Sequence, residues 1–365
     1  MAPGFLSVGQ ATARAIALRS AAAGRLQRTL LVHGPQGAGK DAFVSDLVAL
    51  LLCADPDSAR RPCNACQSCR QARAGTHPDL VYGSPERWRE ARSTGESIVA
   101  AARRWLGASA GAPIAGERRV VVIEGADRAN EQTQNALLKA LEEPTGRHMF
   151  ILVADEPSRV LPTIRSRSQS MRIGPVPHAE LVAWLIDRER VPHDQADALA
   201  RISGGLSGTA IRFARTPSLL DWRRRTQHEL LTLLERGPAD RFGSVRDLLE
   251  DAGRLGAQPI IDVSEPSDDE APRTPTSVQR EAAALIVDAW RDLARDLMVI
   301  SIGSRTSVPA GSLLTGLEAA AKRLDAGALS AFLELLERVD DGLGQNAAPR
   351  LALEVAMLAW PRLPA

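Results

Sequence analysis

The sequence is poor in aromatic residues and has almost no tyrosine. Phe, Trp and Tyr make up 4% of its 365 residues, and Tyr82 is the single tyrosine. Aromatic and β-branched residues are typical of large antiparallel sheets, so this composition favours helices that pack through aliphatic faces. A hydrophobic share of 44% and a charged share of 24% exclude collagen-like and wholly disordered classes. The length is enough for two or three domains of about 150 residues each.

The sequence also lacks long apolar runs and a large net charge. No stretch reaches the roughly 20 apolar residues of a membrane-spanning helix, and the first residues show no charged segment before an apolar one. We therefore expect a cytoplasmic protein without a membrane partner. The formal net charge is +1, so no overall field attracts nucleic acid. Any contact with DNA is expected to be local or made through partners.

Lysine is scarce as well: of 45 basic residues, only Lys40, Lys139 and Lys322 are lysines. Lys40 ends a G-x-x-x-x-G-K phosphate loop, or P-loop, which follows the apolar run 30–32. In such a loop, glycine N–H groups and a helix N-terminus face phosphate oxygens, and the lysine supplies a positive charge. A glycine-rich turn beside a lysine can also be only a turn. The candidate nucleotide-binding residues are Gly34, Gly37, Gly39 and Lys40.

The residues that would hold metal and activate water depart from a hydrolysing P-loop. Asp41 stands where such a loop has a Ser or Thr whose hydroxyl holds Mg²⁺. The β-branched run 120–123 predicts a central parallel strand, and it ends in Glu124-Gly125 instead of Asp-Glu. The carboxylate that would position water is therefore missing. ATP or ADP can bind such a loop without turnover, and we do not expect nucleotide to be required.

All four cysteines lie within residues 53–69, with the spacing C-x9-C-x2-C-x2-C. Four clustered thiolates can form a closed tetrahedral zinc site with a structural role. An iron–sulfur cluster, which also uses C-x2-C-x2-C with a remote fourth cysteine, and free thiols are the alternatives. His77 is a further metal candidate, with a purely structural histidine as the alternative. The candidate metal ligands are Cys53, Cys63, Cys66 and Cys69.

Three later segments give the chain a family resemblance. They are N-A-L-L-K-A-L-E-E-P at 135–144, the apolar strand 150–154 and L-P-T-I-R-S-R-S at 161–168. With the P-loop and the cysteines, they resemble the AAA+ clamp-loader family of bacterial DNA polymerase III, over about residues 8–215. Gamma/tau members of this family are ATP-hydrolysing motors, whereas delta-prime members are not.

The resemblance implies an α/β module followed by all-α parts. The expected domains are an AAA+ P-loop module with a parallel sheet at 1–173, which carries the four-cysteine zinc site at 53–69, a small helical lid at 174–216, and a helical collar for oligomerisation at 217–365. Within the collar, the Pro-rich acidic segment 257–278 predicts a disordered insert.

Four positions separate the chain from the motor members. They are Asp41, Gly125, the strand end 153–155 without a hydroxyl, and Ser207 where the lid would carry an arginine. We therefore interpret the chain as delta-prime-like and non-hydrolysing, with a gamma/tau-like motor as the alternative. The expected partners are gamma/tau and delta clamp-loader subunits and, through the assembly, the sliding clamp and primer–template DNA. A zinc-dependent DNA-binding module of another family is a third interpretation, against which the near-neutral charge argues.

Ser166-Arg167-Ser168 resembles the S-R-C motif of the family. The resemblance implies that Arg167 is an arginine finger presented to the ATP site of a neighbouring subunit. A guanidinium suits the charge that develops on a γ-phosphate. Arg165 is the second candidate, and a surface arginine is the alternative for Arg167.

Overall fold

The computed structural model describes residues 4–142, 147–256, 275–303, 314–344 and 347–363. These residues form two compact units, one that ends at Ile211 and one that begins at Arg212. The predicted separation of a lid at 174–216 stays a prediction. Residues 257–274 of the predicted insert lie outside the described part. Residues 275–278 belong to a helix instead, so the predicted insert boundary was too late by four residues.

The first unit is built on five strands, each of which follows from a short apolar run. Its sheet has the order β2-β3-β4-β1-β5, and every neighbouring pair is parallel. The predicted α/β class with a parallel sheet is confirmed. The strands are β1 (Thr29–His33), β2 (Leu80–Gly83), β3 (Arg119–Ile123), β4 (His148–Ala154) and β5 (Gln169–Arg172).

Helices cover both faces of this sheet. Alternation along β1 sends Leu30 and Val32 to one apolar cluster and Leu31 to the other. The helices up to the unit boundary are α1 (Ala11–Ala22), α2 (Lys40–Leu52), α3 (Gln67–Arg73), α4 (Pro85–Glu90), α5 (Ile98–Ser109), α6 (Glu131–Glu142), α7 (Pro162–Ser166), α8 (His178–Glu189), α9 (His193–Ile202) and α10 (Ser207–Arg215).

Helix α4 lies within the polar stretch 83–97, whose composition predicts a loop. The Ser84 hydroxyl accepts a hydrogen bond from the Arg87 N–H at 3.2 Å and caps the helix. Trp88 is buried, with its ring centroid 5.4 Å from that of Trp105. The cap and the buried indole stabilise one and a half turns of helix that the polar composition conceals.

The second unit is helical, as predicted. Among the described residues, none of the helices combines the length and the apolar composition that crossing a bilayer requires. The helices of the second unit are α11 (Pro217–Thr232), α12 (Pro238–Gly256), α13 (Pro275–Ser301), α14 (Leu314–Ala321), α15 (Ala326–Gly344) and α16 (Pro349–Ala359).

A buried arginine joins α12 to the end of the chain. Arg241 is 3% exposed, and its guanidinium donates to backbone carbonyls at two helical ends. It bonds Leu233 O at 2.9 Å, Trp360 O at 2.6 Å and Pro361 O at 2.9 Å. The Trp360 indole N–H donates to Leu230 O at 3.0 Å. The carbonyl ends of helices are favourable places for a cation, so Arg241 fixes α16 without a carboxylate partner in this set of contacts.

We expect Arg241→Met to destabilise the protein by roughly 2–4 kcal/mol, because buried carbonyls would lose a charged donor. The measurement is thermal or urea unfolding of the full chain. Arg246→Met is the control: its guanidinium is exposed on the same helix and its ion pair is with the adjacent Asp247. Equal stability of the two variants would contradict the clamping role of Arg241.

Candidate functional site

The P-loop leaves β1 and enters α2 through three glycines that adopt positive φ. The φ angles of Gly34, Gly37 and Gly39 are 153°, 76° and 88°, a region that side chains other than hydrogen rarely occupy. A Cβ atom at Gly34 would also lie 1.9 Å from the carbonyl oxygen of Ile173. The backbone of a phosphate loop is therefore present at this edge of the sheet.

The Lys40 side chain is buried within this loop. Its ammonium group donates to Gly34 O at 2.9 Å and to Pro35 O at 3.0 Å, and lies 2.5 Å from Asp155 Oδ1. An ammonium group has three N–H donors, and these contacts occupy three. Asp155 follows β4, where sequence reasoning recorded only a missing hydroxyl. The structure makes it the counter-ion of Lys40.

Two further carboxylates lie near the loop. Burial raises the pKa of Glu124, and the Asp41 carboxylate raises it further. Desolvation likewise raises the pKa of Asp41, although its side chain reaches solvent. Gly125 adopts φ 60°, and a Cβ atom there would lie 2.4 Å from Arg128 Nε. The Arg128 side chain is flexible and 48% exposed, so the left-handed φ is what favours glycine over a catalytic glutamate in the turn after β3.

Buried polar side chains fix the two loops beside this edge. Asp127 Oδ2 accepts the N–H of Asp155 at 3.0 Å and that of Glu156 at 2.8 Å. Gln134 on α6 donates to Arg159 O at 3.0 Å and accepts the N–H of Leu161 at 2.8 Å. Sequence reasoning missed both residues. The only sign of them in the sequence is that each is a polar residue at a position that faces the core.

Arg165 in α7 and Arg167 just after it are both exposed to solvent. Arg167 follows the last helical residue, and its Nη1 donates to Thr163 O at 3.2 Å. Ile164 is 2% exposed and anchors the helix, and the Ser168 hydroxyl bonds its carbonyl at 2.7 Å. The predicted arginine-finger segment therefore lies on the surface, and the buried Ile164 side chain anchors the helix that carries it.

The first turn of α10 lies against the P-loop within the first unit. The Ser207 hydroxyl donates to Ala38 O at 3.0 Å, and the Thr209 N–H donates to Gly37 O at 3.1 Å. A Cβ atom at Gly39 would lie 2.4 Å from Ser207 Oγ. The position where a motor subunit carries an arginine therefore contacts the loop backbone directly.

The four cysteines converge, with all four Sγ atoms within 4.8 Å of one another. Cys63 Sγ and Cys69 Sγ are 4.0 Å apart, close to the edge of about 3.8 Å that Zn–S bonds of 2.3 Å give in a tetrahedron. Burial opposes ionisation of Cys63, but backbone N–H groups of Ala65 and Cys66 and the neighbouring thiols lower its pKa to about 7. Four thiols in this arrangement could bind one metal ion.

Arg73 connects this cysteine loop to α2. The Asp46 carboxylate is fully buried, lies 2.9 Å from Arg73 Nη2, and accepts the N–H of Ser7 at 2.8 Å. Asn64 Oδ1 accepts from Arg73 Nη2 at 2.6 Å. Arg73, which lies four residues after Cys69, thus pairs with the Asp46 carboxylate.

His77 lies outside the cysteine group found among the described residues. Its Nδ1 accepts the N–H of Asp79 at 3.0 Å, and burial lowers its pKa. Burial opposes ionisation of Asp79, but N–H groups of Ile114, Ala115 and Gly116 lower its pKa below the usual value. This arrangement supports the structural interpretation of His77.

Comparisons with known proteins show similarity to subunits of DNA polymerase III. A family model described as DNA polymerase III, delta subunit, matches residues 9–177. The chain is 38% identical over 202 residues to the DNA polymerase III subunit delta′ of Pseudomonas aeruginosa, over 54% of this chain and 59% of that one. It is 34% identical over 189 residues to the subunit delta′ of Escherichia coli, over 52% of this chain and 55% of that one.

A more distant similarity extends further along the chain. The DNA polymerase III subunit gamma/tau of Mycobacterium tuberculosis is 26% identical over 364 residues, which cover 91% of this chain and 56% of that one. A solved DNA polymerase III gamma subunit-related protein of Thermotoga maritima covers 96% of this chain at 16% identity, with a TM-score of 0.39. The chain thus spans somewhat more than half the length of the curated relatives it matches.

Proposed function

We propose, from the similarity of this delta-prime-like chain to the delta-prime members of the clamp-loader family, that it works in a DNA polymerase III clamp loader without hydrolysing ATP. Its partners would be the gamma/tau and delta subunits. Through the assembly it would act on the sliding clamp and primed DNA during replication. The location would be the cytoplasm.

The absence of a water-activating carboxylate after β3 carries this proposal. Gly125 occupies that place with a left-handed backbone angle that favours glycine. Asp41 offers a carboxylate where a hydroxyl would hold Mg²⁺. The gamma/tau relative matches more of this chain but at lower identity, 26% against 38% for a delta-prime relative, and a motor needs the groups that this edge lacks.

Arg167 would be the chain's contribution to catalysis, as an arginine finger at the ATP site of a neighbouring subunit. Its exposure on α7 and the anchoring of that helix by Ile164 and Gln134 support this role. An arginine finger can be supplied in trans, where its guanidinium stabilises the charge on the phosphoryl group that a neighbouring subunit transfers.

The cysteine group would hold one structural zinc ion. Four thiolates leave no open coordination position, so the ion would stabilise the loop between α2 and α3 and activate no water. The ligands would be Cys53, Cys63, Cys66 and Cys69. The alternative of an iron–sulfur cluster predicts a coloured protein.

The second unit would serve as the oligomerising collar. Its last helix, α16, exposes Leu351, Val355 and Leu358 at 61%, 45% and 60%. Their i, i+4, i+7 spacing places them along one side of the helix. An apolar stripe of this kind suits contact with another subunit.

The purified chain should contain about one zinc and show no visible absorption band. Cys66→Ser should lose the metal and lower the melting temperature, because metal binding and local folding are coupled. Metal analysis and thermal unfolding measure both effects. Gln67→Ser, an exposed neighbour, is the control. A Cys66→Ser variant that lost zinc but melted like the wild type would refute the structural role.

The free chain should show no ATPase activity with Mg²⁺, because no carboxylate follows Glu124 to position water. Steady-state phosphate release measures this. Turnover at the rate of an ordinary P-loop ATPase that Lys40→Ala abolishes would favour the gamma/tau-like alternative instead.

Arg167→Ala should leave folding and assembly intact but lower DNA-stimulated ATP hydrolysis of the reconstituted loader. A finger contributes about 10³–10⁵ in rate at the one site it serves, so total hydrolysis should fall in part. Clamp loading, which needs all sites, should fall further. Arg165→Ala is the control and should have a smaller effect. A loss with Arg165→Ala alone would reassign the finger, and no loss with either variant would refute the role in trans.

A further inference from the structure

We propose that Asp155 and the first turn of α10 hold the P-loop closed, so that the loop is a latent site for a nucleoside diphosphate that Asp155 masks. The inference deepens the proposed function and rests on it in one respect, since a subunit that does not hydrolyse ATP has no need of an open loop. Its evidence consists of contacts within the first unit.

The first contact is the ion pair of Lys40. The lysine is 7% exposed, and its three donors already have acceptors: two carbonyls of its own loop and the Asp155 carboxylate. A phosphate needs the same ammonium group, so phosphate and the carboxylate are alternative partners of one cation. A nucleotide phosphate would therefore compete with Asp155 for the ammonium group of Lys40.

Asp155 is held in place for this contact. The strand order puts β4 beside β1, with Ala154 opposite His33, so the residue after β4 stands next to the start of the P-loop. The N–H of Asp155 is bonded to the buried Asp127 carboxylate. The backbone of Asp155 is therefore fixed beside the loop, and its side chain, which is 41% exposed, pairs with Lys40.

The second contact is the cover that α10 provides. A Cβ atom at Gly37 would lie 2.0 Å from Thr209 Oγ1, and one at Gly208 would lie 2.9 Å from the Gly37 carbonyl oxygen. The Thr209 N–H bonds that same carbonyl. The glycine backbone that would approach phosphates is thus in contact with the first turn of α10.

The two contacts differ in kind, and this difference makes the proposal testable. The ion pair is a charge contact that one isosteric change removes. The α10 contact rests on backbone groups and remains when Asp155 changes. If the carboxylate is the main barrier, its neutralisation is enough to reveal binding. The probe is ADP with Mg²⁺, titrated into the full chain by calorimetry and by thermal shift.

Asp155→Asn should bind ADP at least about tenfold more tightly than the wild type, the ratio that corresponds to one charge-assisted hydrogen bond. Glu156→Gln is the matched control: it removes one negative charge at an exposed neighbour and should leave the ADP affinity unchanged. The double variant Lys40→Ala/Asp155→Asn should lose the gain, because the phosphate would lack the ammonium group. Asp155→Ser serves as the second variant if Asp155→Asn does not fold.

ADP binding by the wild type as tight as by Asp155→Asn would overturn the masking role, as would an equal gain in Glu156→Gln or a gain that survives Lys40→Ala. Phosphate release from ATP is measured on the same samples. If the Asp155 variants bind no ADP and the wild type hydrolyses no ATP, the latent site is refuted and the proposed function stands. If the wild type hydrolyses ATP, the proposed function is refuted.

Discussion

The ion pair of Lys40 with Asp155 connects the P-loop to the end of β4 at the carboxyl edge of the sheet. A buried lysine needs acceptors for its protons and a counter-ion for its charge. The P-loop supplies the acceptors, because its glycine backbone turns two carbonyls towards the side chain. The counter-ion comes from β4, which is available only because the parallel order places β4 beside β1. The fold therefore creates the ion pair, and the ion pair in turn occupies the group that would bind phosphate.

The elements of this edge could be predicted from the sequence more readily than the contacts between them. Strands β1, β3 and β4 are continuous apolar runs, and the cysteine spacing alone indicated a convergent group. The resemblance grouped the strand end 153–155 with the P-loop positions, but nothing in the sequence indicated that Asp155 pairs with Lys40. It was noted only as the lack of a hydroxyl. Helix α4 was missed for a local reason, since its cap and one buried indole are hidden in a polar stretch.

Residues at the positions that differ from the motor pattern make contacts of their own in this chain. Ser207 bonds the Ala38 carbonyl, and Asp155 pairs with Lys40. Gly125 allows a tight left-handed turn against Arg128. Ser207 and Asp155 thus have partners in the folded chain, and Gly125 has the backbone conformation that its turn requires.

The proposed absence of hydrolysis and the proposed arginine finger are compatible because they depend on different parts of the first unit. The P-loop is fixed by Lys40 and by α10. Helix α7 is fixed by the buried side chain of Ile164 and by Gln134, whose amide bonds the chain on the way into that helix. None of these α7 contacts includes a P-loop residue. An arginine on α7 would therefore keep its position whether the loop is masked or open, which is the property that a subunit acting only on its neighbour's nucleotide requires.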